Sequence, residues 1–134
     1  MKKLYLAMAA VATLVLSCQT AVTEGPTDLT KNSIIPRPVS VTSSGGSFVL
    51  TSGSDIVIMP GSPAEVAGIG SILAGKLNPS TGLGVEVITD GRRPGKGDIL
   101  LAIGEVDSVP GDEGYELVIT EKLITLTAAR PAGL

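Results

Sequence analysis

Residues 114–128 read GYELVITEKLITLTA, and this stretch decides the fold. Apart from Val118 and Leu123, apolar and polar residues alternate on both sides of Glu121-Lys122, which is typical of two strands joined by a tight turn. If Thr120 pairs with Leu123 across that dipeptide, one face of the hairpin is wholly apolar. The six side chains on that face are those of Tyr115, Leu117, Ile119, Ile124, Leu126 and Ala128. Such a face needs a covering layer, and we expect sequence beyond Leu134 to supply it.

Five further strands are predicted upstream of the hairpin. They lie at 39–41, 47–51, 55–59, 83–89 and 98–103, separated by turns rich in Gly, Pro, Ser and Asp. The strand at 98–103 is apolar on both faces, which favours a central position in the sheet. The order of strands, helix and strands predicts an α+β fold with a mostly antiparallel sheet packed on one or two helices.

One helix is predicted, over residues 63–77. Ser62 is placed to cap its first amides, Pro63 suits the first helical position, and Glu65 can close a capping box. Its apolar stripe follows at helical spacing. The stripe consists of Val66, Ile69, Leu73 and Leu77, widened by Ile72. Asn78-Pro79 is expected to end the helix.

The start of the chain has the layout of a secretory signal. Basic Lys2 and Lys3 precede a largely apolar region of thirteen residues at 4–16, too short to span a bilayer comfortably. The following Ser17-Cys18 resembles a bacterial lipobox, which predicts acylation of Cys18. We therefore expect a signal peptide at 1–17, a flexible tether at 18–33 and one folded domain at 34–134. The protein would then be anchored by its lipid in the bacterial cell envelope, on the periplasmic or cell-surface face.

Composition excludes several kinds of site. Cys18 is the only cysteine and the chain has no histidine, so a zinc site lacks ligands and a catalytic triad cannot form within it. Without residues 1–17, the chain keeps 8 basic and 13 acidic side chains, a net charge of −5. That balance argues against nucleic acid as a partner. No cofactor is predicted, and any contact with a membrane is expected to run through the acylated cysteine.

Motifs at the two ends of the region 34–134 carry a family resemblance. Residues 34–41 read IIPRPVSV and are followed by GSFVL at 46–50, while the terminal hairpin leads into PAGL at 131–134. In this order and separation they resemble the ends of the N-terminal accessory domain of glycoside hydrolase family 20, the β-N-acetylhexosaminidases. The resemblance implies a (β/α)8 barrel after Leu134 that removes terminal β-linked N-acetylhexosamines. It places every catalytic residue on that barrel, so no catalytic residue is assigned in this chain.

Two charged clusters are candidate sites. Family 20 enzymes use an adjacent Asp-Glu pair, with Glu as the acid and Asp orienting the N-acetyl group of the substrate. Asp112-Glu113 matches the pair but follows Val109-Pro110 and leads directly into a strand, so a solvated acidic turn is the better interpretation. The basic cluster of Arg92, Arg93 and Lys96 lies among glycines and a proline and is predicted to be a solvated loop, with an anion or glycan contact as the alternative.

Three functions remain open from the sequence. The first is the accessory domain of a lipid-anchored β-N-acetylhexosaminidase, truncated before its barrel and inactive alone. The second is a complete small envelope lipoprotein that acts as a binding or scaffold module. The third is the same accessory domain attached to a different glycoside hydrolase family.

Overall fold

The computed structural model describes residues 30–31, 34–35, 37–106 and 111–134. Its strands and helices are β1 (Ile56–Ile58), α1 (Ala64–Thr81), β2 (Val87–Ile88), β3 (Asp98–Ile103), β4 (Tyr115–Ile119) and β5 (Leu123–Ala128). A short 3-10 helix, Pro131–Gly133, follows β5. The predicted signal peptide at 1–17 and Cys18 lie outside the described residues, and of the predicted tether only Thr30 and Lys31 lie within them.

The five strands form one mixed sheet in the order β2-β1-β3-β5-β4. The α+β class is confirmed, but the prediction that the sheet is mostly antiparallel was wrong. Strand β1 runs parallel to β2 and β3, and β3 runs parallel to β5, while β4 and β5 pair antiparallel. Two connections explain this. Helix α1 is the crossover connection between β1 and β2, which lets these two strands run parallel. After β3 the chain forms the edge strand β4 first, and it then turns back as β5, which lies between β3 and β4.

The terminal hairpin has the predicted register. Tyr115 lies opposite Ala128, Leu117 opposite Leu126, and Ile119 opposite Ile124. The amide of Thr120 donates to the carbonyl of Leu123 at 3.0 Å, which closes the turn at Glu121-Lys122. Alternation and a two-residue tip were therefore enough to fix both the pairing and the shared face.

The predicted strands at 39–41 and 47–51 are absent from the described part of the chain, where both segments are irregular. Val39 is 87% exposed and Val49 is 68% exposed, so these side chains do not have the buried face that a sheet would provide. Leu50 does pack against the core. Apolar alternation in this segment was a poor guide because little apolar surface is buried there.

Helix α1 begins one residue later than predicted. Pro63 occupies the N-cap position with an extended ψ of 150°, and no side chain caps the helix. The amide of Ser62 instead donates to the carbonyl of Met59 at 3.1 Å, in the turn that precedes the helix. The predicted capping box of Ser62 and Glu65 is therefore wrong, because Ser62 stands outside the N-cap.

The helix also continues past the predicted stop, with Pro79 inside its last turn. It ends at Gly82, which has a left-handed φ of 70°. In this conformation the Gly82 amide donates a hydrogen bond to the carbonyl of Asn78 at 2.8 Å. The side chain of Asn78 then binds both backbone groups of Val85, accepting at 2.7 Å and donating at 3.0 Å. This clamp and the left-handed Gly84 leave only Val87–Ile88 of the predicted strand at 83–89 in the sheet.

The main core lies between α1 and one face of the sheet. Val66 and Ala74 of the helix pack with Ile56, Ile58 and other buried side chains of β1 and β3. Gly70 makes this contact close: a Cβ there would lie 3.1 Å from Val87 Cγ1 and 3.2 Å from Ile58 Cδ1. A smaller cluster on the other face is formed by Val57, Leu100 and Ala102 with Ile88 and Leu123.

The outer side of α1 differs from the prediction at Ile72. Its side chain is 64% exposed rather than part of the buried stripe, which runs through Val66, Gly70 and Ala74. Across the described residues, no helix combines the length and the hydropathy required of a transmembrane span.

Candidate functional site

The helix-side face of the sheet is covered unevenly. Helix α1 contacts β1 and β2, and the main core continues under it into β3. Beyond β3, Ile124 and Leu126 of β5 are only partly buried, and Leu117 and Tyr115 on the edge strand are 48% and 42% exposed. These four residues, Tyr115, Leu117, Ile124 and Leu126, are called the open half-face below.

The open half-face is apolar, in contrast to the opposite face of the same hairpin. That opposite face carries Glu116 facing Thr127, and Val118 facing Thr125. The opposite face is polar apart from Val118 and Leu123, whereas an apolar face on an edge strand is typical of a contact surface. The hairpin therefore presents one face suited to solvent and one suited to a partner.

The C-terminal turn closes one end of the open half-face. A Cβ on Gly133 would lie 2.6 Å from the carbonyl oxygen of Gly114 and 2.9 Å from Ala128 Cβ, so only glycine fits against the hairpin there. This contact directs Leu134 onto the helix-side core, where it is partly buried. The sequence indicated the hairpin but gave no signal for this contact.

Arg92 was predicted to lie in a solvated loop, and the structure corrects this. Its Nη1 lies 2.7 Å from Asp98 Oδ2, and its Nη2 lies 2.7 Å from Asp55 Oδ2. Asp98 also accepts the amide of Gly95 at 2.6 Å and the amide of Asp55 at 3.1 Å. Arg92 therefore joins the loop after β2 to the starts of β1 and β3, and we call Arg92, Asp55 and Asp98 the arginine clasp.

The electrostatics of the arginine clasp favour its charged form. The Asp98 side chain is only 3% exposed. Burial acts to raise the pKa of Asp98, but the hydrogen bonds from Arg92, Gly95 and Asp55 outweigh it and hold the pKa below its usual value. The hydrogen bond to Asp98 in turn raises the pKa of Arg92. Each charged group is thus paired with an opposite charge within the fold, so we assign the clasp a role in stabilising the structure.

Sequence reasoning missed the clasp because its members are far apart in the chain. Asp55 and Asp98 are 43 residues apart, and no local motif in the sequence connects them. The available signal was that each precedes an apolar run. If those runs are adjacent parallel strands, the two carboxylates lie at the same edge of the sheet, with a loop arginine nearby.

Asp112 and Glu113 lie where the sequence placed them, in an exposed turn before β4. Asp112 Oδ1 lies 2.6 Å from Arg130 Nε in an ion pair, and the two side chains are 74% and 66% exposed. The bond joins the start of the hairpin to its end. An ion pair this exposed contributes about 0–1 kcal/mol. The pair lies on an open surface, and nothing around its described atoms resembles the enclosed site that an acid catalyst needs.

The other two residues of the basic cluster remain solvent-facing or border an open depression. Arg93 is exposed, and Lys96 lines a shallow surface depression near the hairpin tip. Its remaining lining residues are Ser47, Val49, Thr51, Gly97, Glu121 and Lys122. Lys96 and Lys122 share this lining with one acidic side chain, Glu121, so the lining has a net charge of only +1 with which to select an anion.

Among the described residues, no group of three or more His, Cys, Asp or Glu side chains could hold a metal ion. Cys18, the predicted lipid attachment point, lies outside them. The candidate surface of the described part is the open half-face, whose apolar side chains suit a contact.

Comparison with known proteins identifies the family. The family described as glycosyl hydrolase family 20, domain 2, matches residues 31–134. The chain belongs to this family. The matched part is the accessory domain and not the catalytic one, as the two end motifs predicted.

Two family 20 relatives support the same conclusion. The chain is 37% identical over 103 residues to a β-N-acetylhexosaminidase from Cellulomonas fimi, covering 75% of this chain and 20% of the relative. The solved structure of the GH20 β-N-acetylhexosaminidase from Streptomyces coelicolor A3(2) superimposes with a TM-score of 0.68 at 33% identity. That alignment covers 82% of this chain and 20% of the other. The family 20 domain described here thus spans about a fifth of the length of these relatives.

Proposed function

We propose that this chain is the non-catalytic accessory domain of a β-N-acetylhexosaminidase that hydrolyses terminal β-linked N-acetylhexosamines. The observation that carries the proposal is the match of residues 31–134 to domain 2 of family 20. The relatives that share this domain are β-N-acetylhexosaminidases about five times longer than the matched part.

The chemistry of the chain supports a structural role for it. The sequence contains no histidine, and the adjacent acidic pair lies in an open turn with Asp112 bound to Arg130. The main features of the fold are instead the core between α1 and the sheet, the arginine clasp and the open half-face. We infer that the domain braces a catalytic (β/α)8 barrel and leaves the hydrolysis to it.

An activity measurement tests this role. The full chain alone should release no p-nitrophenol from p-nitrophenyl N-acetyl-β-D-glucosaminide. A chimaera in which residues 31–134 replace the matching fifth of the Cellulomonas fimi enzyme should hydrolyse that substrate. Activity of the chain alone that is lost in Asp112→Asn would contradict the non-catalytic role. A folded but inactive chimaera would contradict the assignment to this class of enzyme.

We also infer that the protein is a lipoprotein of the bacterial cell envelope. A signal peptide is supported by Lys2, Lys3 and the largely apolar region of thirteen residues at 4–16, and Ser17-Cys18 at its end supports acylation. A single acyl chain binds a membrane only weakly, so stable anchoring requires the several chains that bacterial lipoproteins carry.

Metabolic labelling tests the anchor. Cells that express the full chain should incorporate a palmitate analogue into it, and Cys18→Ala should abolish the label. Ser17→Ala is the matched control, because it keeps a small residue before the cysteine and should be labelled normally. Label that persists in Cys18→Ala would show that the lipid is attached elsewhere, and a wild type without label would show that the chain is not acylated.

A further inference from the structure

We propose that Asp90 is a site of spontaneous covalent modification, at which the linkage to Gly91 isomerises to the isoaspartyl form and releases the arginine clasp. The site lies in the connection between β2 and β3, residues 89–97, which is called the strap below. This inference goes beyond the proposed function and does not depend on it, because it concerns the chemistry of the polypeptide itself.

The strap crosses the face of the sheet opposite α1. Strands β1, β2 and β3 are parallel, and β1 lies between the other two. Because connections between parallel strands are right-handed, the strap returns across β1 on the face that α1 does not occupy. Alternation along β1 and β3 puts Asp55 and Asp98 on that same face, together with the buried Val57 and Leu100. Arg92 therefore fastens the strap to the sheet through these two carboxylates.

The geometry at Asp90 suits attack on its side chain by the main chain. Asp90 Oδ1 accepts a hydrogen bond from the amide of Arg92 at 2.9 Å, so the carboxyl group curls over the peptide bond to Gly91. Gly91 has no Cβ to obstruct its nitrogen, and its φ of 86° is a conformation that favours glycine. The Gly91 amide forms no hydrogen bond to any described residue. Asp90 and Gly91 are both exposed, so water reaches them.

The modification is a condensation followed by a hydrolysis. The Gly91 nitrogen attacks Cγ of the protonated Asp90 carboxyl group and loses its proton, and one carboxyl oxygen leaves as water, which closes a five-membered succinimide. Water then opens the ring. Attack at Cγ restores aspartate, whereas attack at the main-chain carbonyl carbon of Asp90 breaks its bond to the nitrogen and leaves the chain running through Cγ. One water leaves and one returns, so the step needs no oxidant, reductant or co-reactant.

Isomerisation displaces the residue that fastens the strap. The isoaspartyl linkage adds one methylene to the main chain and turns the former main-chain carbonyl into a free carboxylate, two residues before Arg92. The path of the strap then no longer places both guanidinium nitrogens 2.7 Å from Asp55 and Asp98. Because the Asp98 side chain is buried, loss of Arg92 leaves a buried charge without its partner. We therefore expect the modified chain to be less stable.

The two carboxylates of the clasp are internal controls for the modification. Asp55 and Asp98 are each followed by isoleucine, whose branched side chain hinders attack by its own nitrogen. The amides of those isoleucines, Ile56 and Ile99, also donate hydrogen bonds to backbone carbonyls at 2.8 Å. Reaction at either position requires local opening of the sheet, whereas reaction at Asp90 does not.

Peptide mapping tests the modification. The purified full chain is incubated at pH 6 and 37 °C in water enriched in ¹⁸O and is digested with trypsin, which yields the peptide 77–92. We expect that peptide to contain at least about tenfold more isoaspartate than the peptides with Asp55 or Asp98, because those sites must open first. Each conversion should also introduce one solvent oxygen. Conversion at Asp90 no faster than at the two internal controls would overturn the proposal.

Asp90→Glu is the matched control for the mapping. It keeps the carboxylate, but its longer side chain would have to close a six-membered ring, so the peptide 77–92 should form no isomer. If Asp90→Glu gives the same two isomers as the wild type, the reacting group is not the side chain of residue 90 and the assignment is wrong.

Urea denaturation tests the effect on the clasp. The isomerised and unmodified chains are separated by chromatography, and Arg92→Gln is treated in the same way. We expect isomerisation to lower the midpoint of the wild type as much as Arg92→Gln does, and to leave that of Arg92→Gln unchanged, since both changes remove the same contact. An unchanged wild-type midpoint, or an equal further loss in Arg92→Gln, would contradict release of the clasp.

Trypsin cleavage under native conditions gives a second measure that does not require Arg92→Gln to fold. In the folded wild type, the Arg92 side chain is held by Asp98 and Asp55. Cleavage after Arg92 should become at least about fivefold faster once the strap is isomerised, because the released segment opens more readily. Equal cleavage rates in the modified and unmodified chains would show that the clasp survives the modification.

Discussion

The two halves of the helix-side sheet face have similar residues and very different surroundings. Under α1, Ile99 and Leu101 are 6% and 1% exposed, whereas Leu117 on the edge strand is 48% exposed. Both halves are built from alternating or continuous apolar strands, so sequence pattern alone does not separate them. The difference is that α1 covers one half, whereas no helix of the described residues covers the other. An apolar strand in the sequence therefore predicts that its side chains need a covering layer, and only the structure shows which strands α1 already covers.

The largest expected effect contrasts the two halves directly. Ile56→Ala, at a fully buried position, should lower the free energy of unfolding by about 2–5 kcal/mol. Leu117→Ala should lower it by less than about 1 kcal/mol, because much of that side chain is already in water. Urea denaturation of the full chain at pH 7 measures both. Equal losses would mean that the open half-face is covered in the free chain.

The second prediction concerns the arginine clasp at the starts of β1 and β3. Asp98→Ala should lower the free energy of unfolding by about 1–3 kcal/mol, because it leaves Arg92 and two amides without their acceptor. The folded-state pKa of Asp98 lies below its unfolded value, so its contribution is complete above about pH 4 and is lost as the pH falls below that value. Denaturation measured from pH 7 to pH 2 should show a weaker acid loss in Asp98→Asn than in the wild type. An unchanged acid profile would contradict the proposed charge state of the clasp.

The third prediction compares two glycines on opposite sides of α1. Gly70→Ala should lower the free energy of unfolding by about 1 kcal/mol, because crowding against Val87 and Ile58 exceeds the gain in helix propensity. Gly75→Ala should raise it by about 0.5–1 kcal/mol, since its side is open and alanine is the better helix former. Thermal melts of both variants give the comparison. A stabilised Gly70→Ala would show that α1 stands further from the sheet than the structure places it.

The smallest effect is expected for the exposed pair at the hairpin ends. Asp112→Ala should change the free energy of unfolding by less than about 1 kcal/mol, and the difference should shrink further in 1 M salt. The matched comparison is Asp98→Ala, whose buried partner network should be less sensitive to salt. A large, salt-resistant loss in Asp112→Ala would indicate that the turn has contacts beyond Arg130.

Local features of the fold could be predicted from sequence. The hairpin, including Thr120 opposite Leu123, follows from alternation over neighbouring residues and a two-residue tip. The helix follows from its apolar spacing, although its ends do not, because Ser62 bonds to Met59 and the helix tolerates Pro79 in its last turn. Two end motifs were also enough to indicate the family.

Features that join distant segments could not be predicted in the same way. The strand directions depend on how α1 crosses between β1 and β2, and alternation carries no information about direction. The clasp joins Arg92 to Asp55 across 37 residues, so its members appear unrelated until the strand order is known. The close fit of Gly133 against Gly114 is likewise visible only once the hairpin is folded.

Hydrogen exchange tests most directly whether the open half-face is the docking surface. Amides of β3 and β5–β4 are followed by mass spectrometry in the full chain, alone and with the remaining part of the Cellulomonas fimi enzyme. We predict that β3 is protected in both conditions, whereas exchange at 115–119 and 123–128 slows at least about tenfold only when the partner is present. Unchanged exchange in the hairpin, with new protection confined to α1, would contradict the account.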